Sequence, residues 1–571
     1  MLLVKVKLGI RLKTGEEIGE EIRVIAQYLS EVNACKIAGL PQGADLLKKV
    51  FMVTRIKNGR TVAQDMAFEA ASKVQKNVKR AVAGTLGLSG ERMTKVDTAW
   101  LRMDCDANLM MIVGVWQLAP GVTYAAVCER IENSLLKYNR FRQRVMEDAA
   151  GATWVNDRKF DLANHVVLET LPKAAKGGHQ QGVLQDRVAA LATQRLDPKR
   201  PLWQIHLIED YTGPDGVKGS AMVVRIHHCI ADGIALISVT MSLVDGGAPP
   251  PERRKKPAPG GPEDWITDTL LKPFTDLTVK ALGAVGEGAS RSLGMLDMLN
   301  DPKGGAKKGM GMSMDMAKVL MQVVKDGAAL ALMPDDSKTR LKGKPGGSKK
   351  VAWCDPIPLD EVKAVGKALN CSINDVLLSC VAGALGEYLK SHGDDVTGQE
   401  IRAMVPVNLR PLDQAYKLGN RFGLVPLVLP IGVENPIERV YEVRRRMAAL
   451  KGSYQPLLAF SLLAVAGLLI KPAQDMMLNL FAKKTTAVMT NVPGPREKLK
   501  FCGSTLEQSM FWVPQSGDVG LGVSILSYGG GVQFGVITDS VLCPEPQRII
   551  DEFVPEFAKL SVVTLMLPWG E

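Results

Sequence analysis

The sequence predicts a mixed α/β (α+β) fold built as two halves joined by a long polar segment. Three observations carry this. The 571 residues are 46% hydrophobic and 23% charged, the balance of a folded chain too long for one core. Short apolar runs suited to strands alternate with helical patterns on both sides of the middle of the chain. The middle itself opens with PPPERRKKPAPGGP and closes with KTRLKGKPGGSKK, flanks that read as flexible linkers. The resulting division is a helical N-terminal extension (1–90), a first half (91–248), a linker with helices (249–350) and a second half (351–571).

In the extension, Ile18, Ile22, Ile25 and Leu29 recur at helical spacing, and Val74, Val78 and Val82 do so again. Lys73, Lys76, Lys79 and Arg80 accompany the second stripe. Such a basic amphipathic helix suits an anionic membrane, and a surface helix packed by its valines fits the same pattern. In the first half, Met111–Leu118 reads as a strand and 125–145 as a helix. The continuous apolar run 221–226 reads as a buried strand leading into His227. The linker carries helical stretches at 265–282 and 314–332, the latter rich in methionine, which suits adaptable apolar contacts. In the second half, helices are expected from Asp360 and through INDVLLSCVAGALGEYL. Strands are expected at 402–407, 424–430, 486–490, 519–527 and 533–538.

A net charge of +11 favours anionic partners such as a phosphorylated co-substrate or a lipid surface. Aromatic residues are only 5% and do not interleave with Lys and Arg, which argues against nucleic acid. Nine cysteines without a C-x-x-C pair read as reduced and intracellular. Charges break the apolar run of the opening MLLVKVKLGIRLKTGEE, a poor signal peptide. The longest apolar run, 457–470, is shorter than the roughly 17–25 residues that span a bilayer, leaving peripheral association. GGAKKGMGM lacks the spacing and ending of a phosphate-binding loop.

The sharpest local feature is His227-His228-Cys229-Ile230-Ala231-Asp232-Gly233, which holds two of the six histidines. Histidine is the natural base near neutral pH, with a pKa of about 6.5. Asp232 can orient an imidazole or brace the loop, and Gly233 permits a sharp change of direction. Metal binding, buried structural histidines and a Cys229 nucleophile are competing readings. Adjacent histidines on an extended chain face opposite ways and no further ligands stand nearby, which argues against a metal. Most buried cysteines are inert.

Other motifs follow in order along the chain. Pro201-Leu202-Trp203 precedes the histidines, and Asn374-Asp375-Val376 follows them. Pro406-Val407-Asn408-Leu409-Arg410, Gly419-Asn420 and Asn491-Val492-Pro493-Gly494-Pro495 come next, then Ser527-Tyr528 and Asp539. HHxxxDG resembles the signature of acyl-CoA-dependent acyltransferases, shared with peptide-synthetase condensation domains. The ordered set resembles the bacterial wax ester synthase/diacylglycerol acyltransferase family from about Val96 to the C-terminus. The 90-residue extension and the long middle segment depart from that family's pattern.

The resemblance implies two chloramphenicol-acetyltransferase-like halves with mixed sheets around a central cleft. It implies transfer of a fatty acyl group from acyl-CoA to a long-chain alcohol or diacylglycerol, forming wax esters or triacylglycerols. His228 would be the base, with His227 and Asp232 as supports. Asp232 would brace the loop through an arginine that the sequence does not identify. Asn374 would lie near the reacting carbonyl and donate to the oxyanion; it reads equally as an N-cap of the helix that follows. Trp203 would fill a core position, and NVPGP would shape a rigid turn beside the cleft. No metal and no cofactor are implied, acyl-CoA being a co-substrate. The expected location is cytoplasmic, peripheral to a membrane or lipid-droplet surface. Two other functions remain open: a condensation-type acyltransferase using carrier-protein thioesters, and a non-catalytic lipid-surface binding protein.

Overall fold

The computed structural model describes residues 90–148, 151–173, 178–247, 333–409, 417–451 and 482–566, with residues 459, 460, 463 and 474 between the last two. The helices expected at 18–29, 74–82, 265–282 and 314–332 lie outside the described residues, as does all but three residues of the apolar run 457–470.

The first half runs β1 (Glu91–Arg92), α1 (Lys95–Arg102), β2 (Met111–Leu118), α2 (Tyr124–Asn133), β3 (Gln143–Asp148), β4 (Gly151–Asn156), β5 (Val166–Glu169), α3 (Gln181–Thr193), β6 (Trp203–Thr212), β7 (Lys218–His227) and α4 (Gly233–Leu243). The second half runs β8 (Lys349–Trp353), β9 (Ile357–Pro358), α5 (Leu359–Ala368), α6 (Ile373–Ser391), β10 (Ile401–Asn408), β11 (Phe422–Leu429) and α7 (Pro436–Lys451). It continues with β12 (Ala487–Pro493), β13 (Lys500–Phe501), β14 (Ser504–Trp512), β15 (Leu521–Tyr528), β16 (Gly531–Asp539) and α8 (Pro546–Leu565).

Three sheets result. A small antiparallel sheet is ordered β1-β4-β3. A seven-stranded mixed sheet is ordered β11-β10-β12-β15-β16-β8, with β9 also on β16; β12 runs parallel to both β10 and β15. A six-stranded mixed sheet is ordered β13-β14-β2-β7-β6-β5. Its first two strands come from the far end of the chain: β14 pairs antiparallel with β2, Met510 opposite Val115. The boundary between the halves in sequence is therefore crossed by hydrogen bonds.

The period of two along β2 explains its place. Met111, Val113 and Val115 pack in a core with Leu184 and Val188 of α3, Trp353 of β8 and Trp512 of β14. Trp116 and Leu118 face the other way, into a core with Trp203 and Val239. A third core surrounds α6, whose apolar residues are buried on every side, as a helix sandwiched between sheet and helices requires. Gly383 of α6 leaves room for the buried Arg439–Glu556 ion pair between α7 and α8.

The helix expected at 125–145 is cut short. After α2 the chain makes two 3₁₀ turns, Leu135–Lys137 and Asn139–Arg142, and then enters β3. Leu135, Tyr138 and Phe141 are all buried, and their spacing of three matches a 3₁₀ turn better than an α-helix. Among the described residues no single helix is long and apolar enough to cross a membrane.

Candidate active site

β7 carries the chain to His227, and the next residues turn sharply. The amide of His227 donates to Leu202 O at 3.0 Å, that of His228 to Met110 O at 2.7 Å, and that of Ile230 to His227 O at 3.0 Å. The strand thus ends one residue before His228, not at it. Both imidazoles are buried, His227 at 5% and His228 at 3% exposure, and they have different neighbours.

His227 is held by polar groups. Its Nε2 lies 3.4 Å from Asp104 Oδ1, and its Nδ1 accepts the Cys229 amide at 3.2 Å. Burial lowers its pKa, and Cys229 together with the Asp104 carboxylate raise it by more than burial lowers it. The amide at Nδ1 acts the other way, because a protonated Nδ1 would face an N–H. Asp104 also accepts the Met110 amide at 2.5 Å.

His228 is held by apolar faces. Its ring stacks on Trp100, with centroids 4.3 Å apart and planes 18° apart, and tilts against Phe422 at 5.5 Å. Burial pushes its pKa down to about 4, against the pull of Asp232, its own carbonyl and Asn420; neighbouring His227 lowers it further. Near neutral pH the ring is therefore an uncharged acceptor. Its Nδ1 has no hydrogen-bond partner among the described residues.

Asp232 accepts backbone amides on both sides of the turn. Its Oδ1 accepts the Ala235 amide at 2.9 Å and so caps α4, where an N-cap aspartate is favoured. Its Oδ2 accepts the Arg421 amide of the second half at 2.8 Å. Gly233 does not make the sharp turn expected of it, for it is the first residue of α4. A Cβ there would meet nothing within 4 Å among the described residues.

The second half reaches the turn through Gly419-Asn420. Gly419 bridges to Ala231, its amide donating to Ile230 O at 3.0 Å, in a positive-φ conformation (104°) that favours glycine. Asn420 Nδ2 donates to His228 O at 2.7 Å and to Asp97 Oδ1 at 2.8 Å, and its amide donates to the same Asp97 oxygen at 3.0 Å. Burial raises the pKa of Asp97 against the hydrogen bonds from Asn420 and Thr94. Trp100, Asp104, Asp97 and the tie made by Asn420 are the parts that the sequence reading missed. Only Gly419-Asn420 had a signal, its place among the ordered motifs.

Asn374 is hydrogen-bonded to Asn491 and not to this cluster among the described residues. It is exposed in the first turn of α6, and its Oδ1 accepts from Asn491 Nδ2 of β12 at 2.8 Å. No hydrogen bond joins it to either histidine among the described residues. Its reading as an N-cap is corrected: Ser372 is the cap, in a capping box with Asp375. The Ser-x-x-Asp spacing was visible in the sequence. Trp203 and Gly494, from two of the other motifs, make structural contacts. Trp203 is buried, with Nε1 donating to Phe141 O at 2.8 Å, and Gly494 packs so closely on Ser527 that a Cβ would meet its carbonyl at 2.5 Å.

A family model described as the wax ester synthase/diacylglycerol acyltransferase catalytic domain matches residues 93–377, and one described as the WS/DGAT C-terminal domain matches residues 418–561. The chain is 25% identical over 460 residues to a Mycobacterium tuberculosis protein named probable diacylglycerol O-acyltransferase, covering 78% of this chain and 90% of that one. It is 24% identical over 474 residues to an Arabidopsis thaliana protein named wax ester synthase/diacylglycerol acyltransferase 8, covering 76% and 89%. The fold is similar to that of a wax ester synthase/diacylglycerol acyltransferase from Marinobacter aquaeolei VT8, with a TM-score of 0.54, 21% identity, and 83% of this chain and 99% of that one covered.

Proposed function

This chain belongs to the wax ester synthase/diacylglycerol acyltransferase family, and on that footing we propose that His228 is the general base of its acyl transfer. The acyl donor is acyl-CoA and the acceptor is the hydroxyl of a long-chain alcohol or diacylglycerol. One observation carries this reading: an uncharged, buried imidazole sits at the turn where segments of both halves meet.

In this mechanism His228 accepts the hydroxyl proton as the oxygen attacks the thioester carbonyl. The C–S bond breaks as the tetrahedral intermediate collapses, and His228 passes the proton to the departing CoA thiolate. The developing oxyanion beside the ring favours the imidazolium, which brings a base of low pKa closer to its task. His227, held by Asp104, and Asp232, held by two amides, fix the turn. Asn374 supplies a donor to the oxyanion through its side-chain N–H groups, its carbonyl being engaged by Asn491. Holding both substrates in line lowers the entropic part of the barrier. The net charge of +11 supports contact with CoA phosphates and peripheral association with an anionic membrane or lipid-droplet surface.

The test is the initial rate with acyl-CoA and a panel of alcohols and diacylglycerols, for wild type and His228→Ala. Loss of turnover in folded His228→Ala supports the assignment. Turnover with a carrier-bound thioester but not with acyl-CoA would move the chain to the condensation-type reading.

A further inference from the structure

Asp539, the last of the ordered motifs, is buried and organises the entry to β8. Its Oδ1 accepts the amides of Gly346 and Val541 and its Oδ2 that of Gly347, all at 3.0 Å. The carboxylate thereby folds the lead-in to β8, which starts with Lys349 directly opposite Asp539. Gly347 has a φ of 86°, and a Cβ on it would meet Asp106 O at 3.3 Å. The lead-in therefore lies against the loop 103–110 that joins α1 to β2.

Lys349 reaches into that loop. Its Nζ donates to Asn108 Oδ1 at 2.5 Å and to Gln515 Oε1 at 3.0 Å. Asn108 is buried, and its Nδ2 donates to Gly517 O at 2.7 Å and to Val519 O at 3.1 Å. Lys349 thus supplies the donor for the oxygen of an amide whose two N–H groups are already engaged. Burial pushes the Lys349 pKa down to about 8, against the pull of Asp539 and Cys105. An ammonium held at such a cost between two neutral oxygens is more than the packing of a strand end requires; an apolar side chain would fill the place without the desolvation.

The same loop supports both histidines. Cys105 and Asn108 exchange amide-to-carbonyl hydrogen bonds at 3.1 and 3.2 Å, which closes the loop into a tight turn. Asp104, next to Cys105, lies 3.4 Å from His227 Nε2 and accepts the Met110 amide at 2.5 Å. Met110 O in turn accepts the His228 amide at 2.7 Å. A shift of Asn108 is therefore passed to two contacts beneath the histidine turn.

We propose that Lys349 is a positioning residue for acyl transfer: through Asn108 it holds the loop whose Asp104 and Met110 seat His227 and His228. The inference rests on the general-base reading of His228. Lys349 acts on the placement of the base, so its loss lowers kcat and leaves KM.

The kcat and the KM of each substrate are measured per mole of folded protein, with a denaturant melt alongside. The proteins are wild type, His228→Ala, Lys349→Met, Lys349→Arg, Asn108→Ala, Asp104→Asn and the double variant Lys349→Met/Asp104→Asn. Lys349→Met should lower kcat about 10-fold or more, since a misplacement of about 1 Å can cost that much, and change each KM less than about 2-fold. Lys349→Arg keeps a donor for Asn108 and should recover most of the loss. Lys349→Met and Asp104→Asn act on one loop, so their losses in kcat should not add. A merely structural lysine would lower the melting point and leave kcat per folded molecule unchanged. Wild-type kcat in folded Lys349→Met, with His228→Ala inactive, overturns the positioning role and leaves the base in place. Wild-type turnover in folded His228→Ala overturns the base and this inference with it. If Lys349→Met does not fold, Asn108→Ala decides by the same split: a lowered kcat at unchanged KM supports the role, and a normal kcat overturns it. Failure of both to fold makes the tie a requirement of folding alone and also overturns the proposal.

Discussion

Replacing His228 with alanine takes an imidazole out of an aromatic cluster and leaves Trp100 and Phe422 facing a gap. Two independent consequences follow. The transfer rate should fall by about 10²–10⁴, the usual scale for removing a general base. The second consequence concerns stability and acid. Burial holds the His228 pKa at about 4, below its ordinary value of 6.5. As pH drops below 6.5 the unfolded chain takes up a proton that the folded protein refuses. The stability that His228 contributes is therefore complete above 6.5 and is lost progressively toward pH 4. Each pH unit in that window costs about 1.4 kcal/mol, or about 2 kcal/mol by pH 5. His228→Ala has nothing to lose there, so the stability gap between wild type and variant should narrow by about 2 kcal/mol between pH 7 and pH 5. His165 and His206, also lowered by burial, are common to both proteins and cancel. Denaturant melts at the two pH values measure the gap, and initial rates at saturating substrates measure turnover. An unchanged gap would refute the buried neutral ring. Near-normal turnover in the folded variant would refute the base, and if His227→Ala were the inactive one the base would be reassigned to it.

Asn420→Ala removes the link from Asp97 to the histidine turn and leaves a buried carboxylate short of donors, so it should cost about 1–3 kcal/mol in a denaturant melt and lower turnover as well; a fully stable, fully active variant would show that the link is idle. Asn374→Ala should lower the rate by about 10²–10³ with an almost unchanged melting temperature, since Ser372 does the capping; normal turnover would remove Asn374 from the oxyanion site. The full chain should co-sediment with anionic vesicles at low salt and be released at high salt, and failure to bind at low salt would sink the proposed peripheral association.

What the sequence showed and what it hid divide along chain distance. Met111–Leu118 was legible because a continuous apolar strand marks itself, and the observed strand has those bounds. The run at 221–226 likewise sits inside β7. α6 was legible as a helix, yet its start was misjudged by weighing Asn374 alone against a Ser372–Asp375 pair three residues apart. β14 was missed because STLEQSMFW interrupts its apolar residues with Ser, Glu and Gln, and what makes it a strand is β2, nearly four hundred residues earlier in the chain. Asp97 was missed for the same reason: its partner Asn420 lies 323 positions away, and an aspartate in a first helical turn reads locally as a charge favourable to the helix dipole. HHxxxDG puts His227, His228 and Asp232 in one turn because five residues of chain cannot stray far. Of what holds the turn from outside, only Gly419-Asn420 left a signal in the sequence.

Those outside supports bear on the role proposed for His228. His228 is oriented by stacking on Trp100 of α1 and by the fixed backbone beneath it. That backbone is pinned on both sides of the turn. Met110 and Leu202 hold it from the first half, while Asn420 and the Gly419 bridge hold it from the second. The pins from the second half are buried polar contacts, which stabilise little when made and cost much when broken. A seating of the halves that leaves Asp97 or Asp232 without their amide donors is therefore strongly disfavoured, whereas small shifts of apolar surface are not. The polar ties set where the His228 ring points.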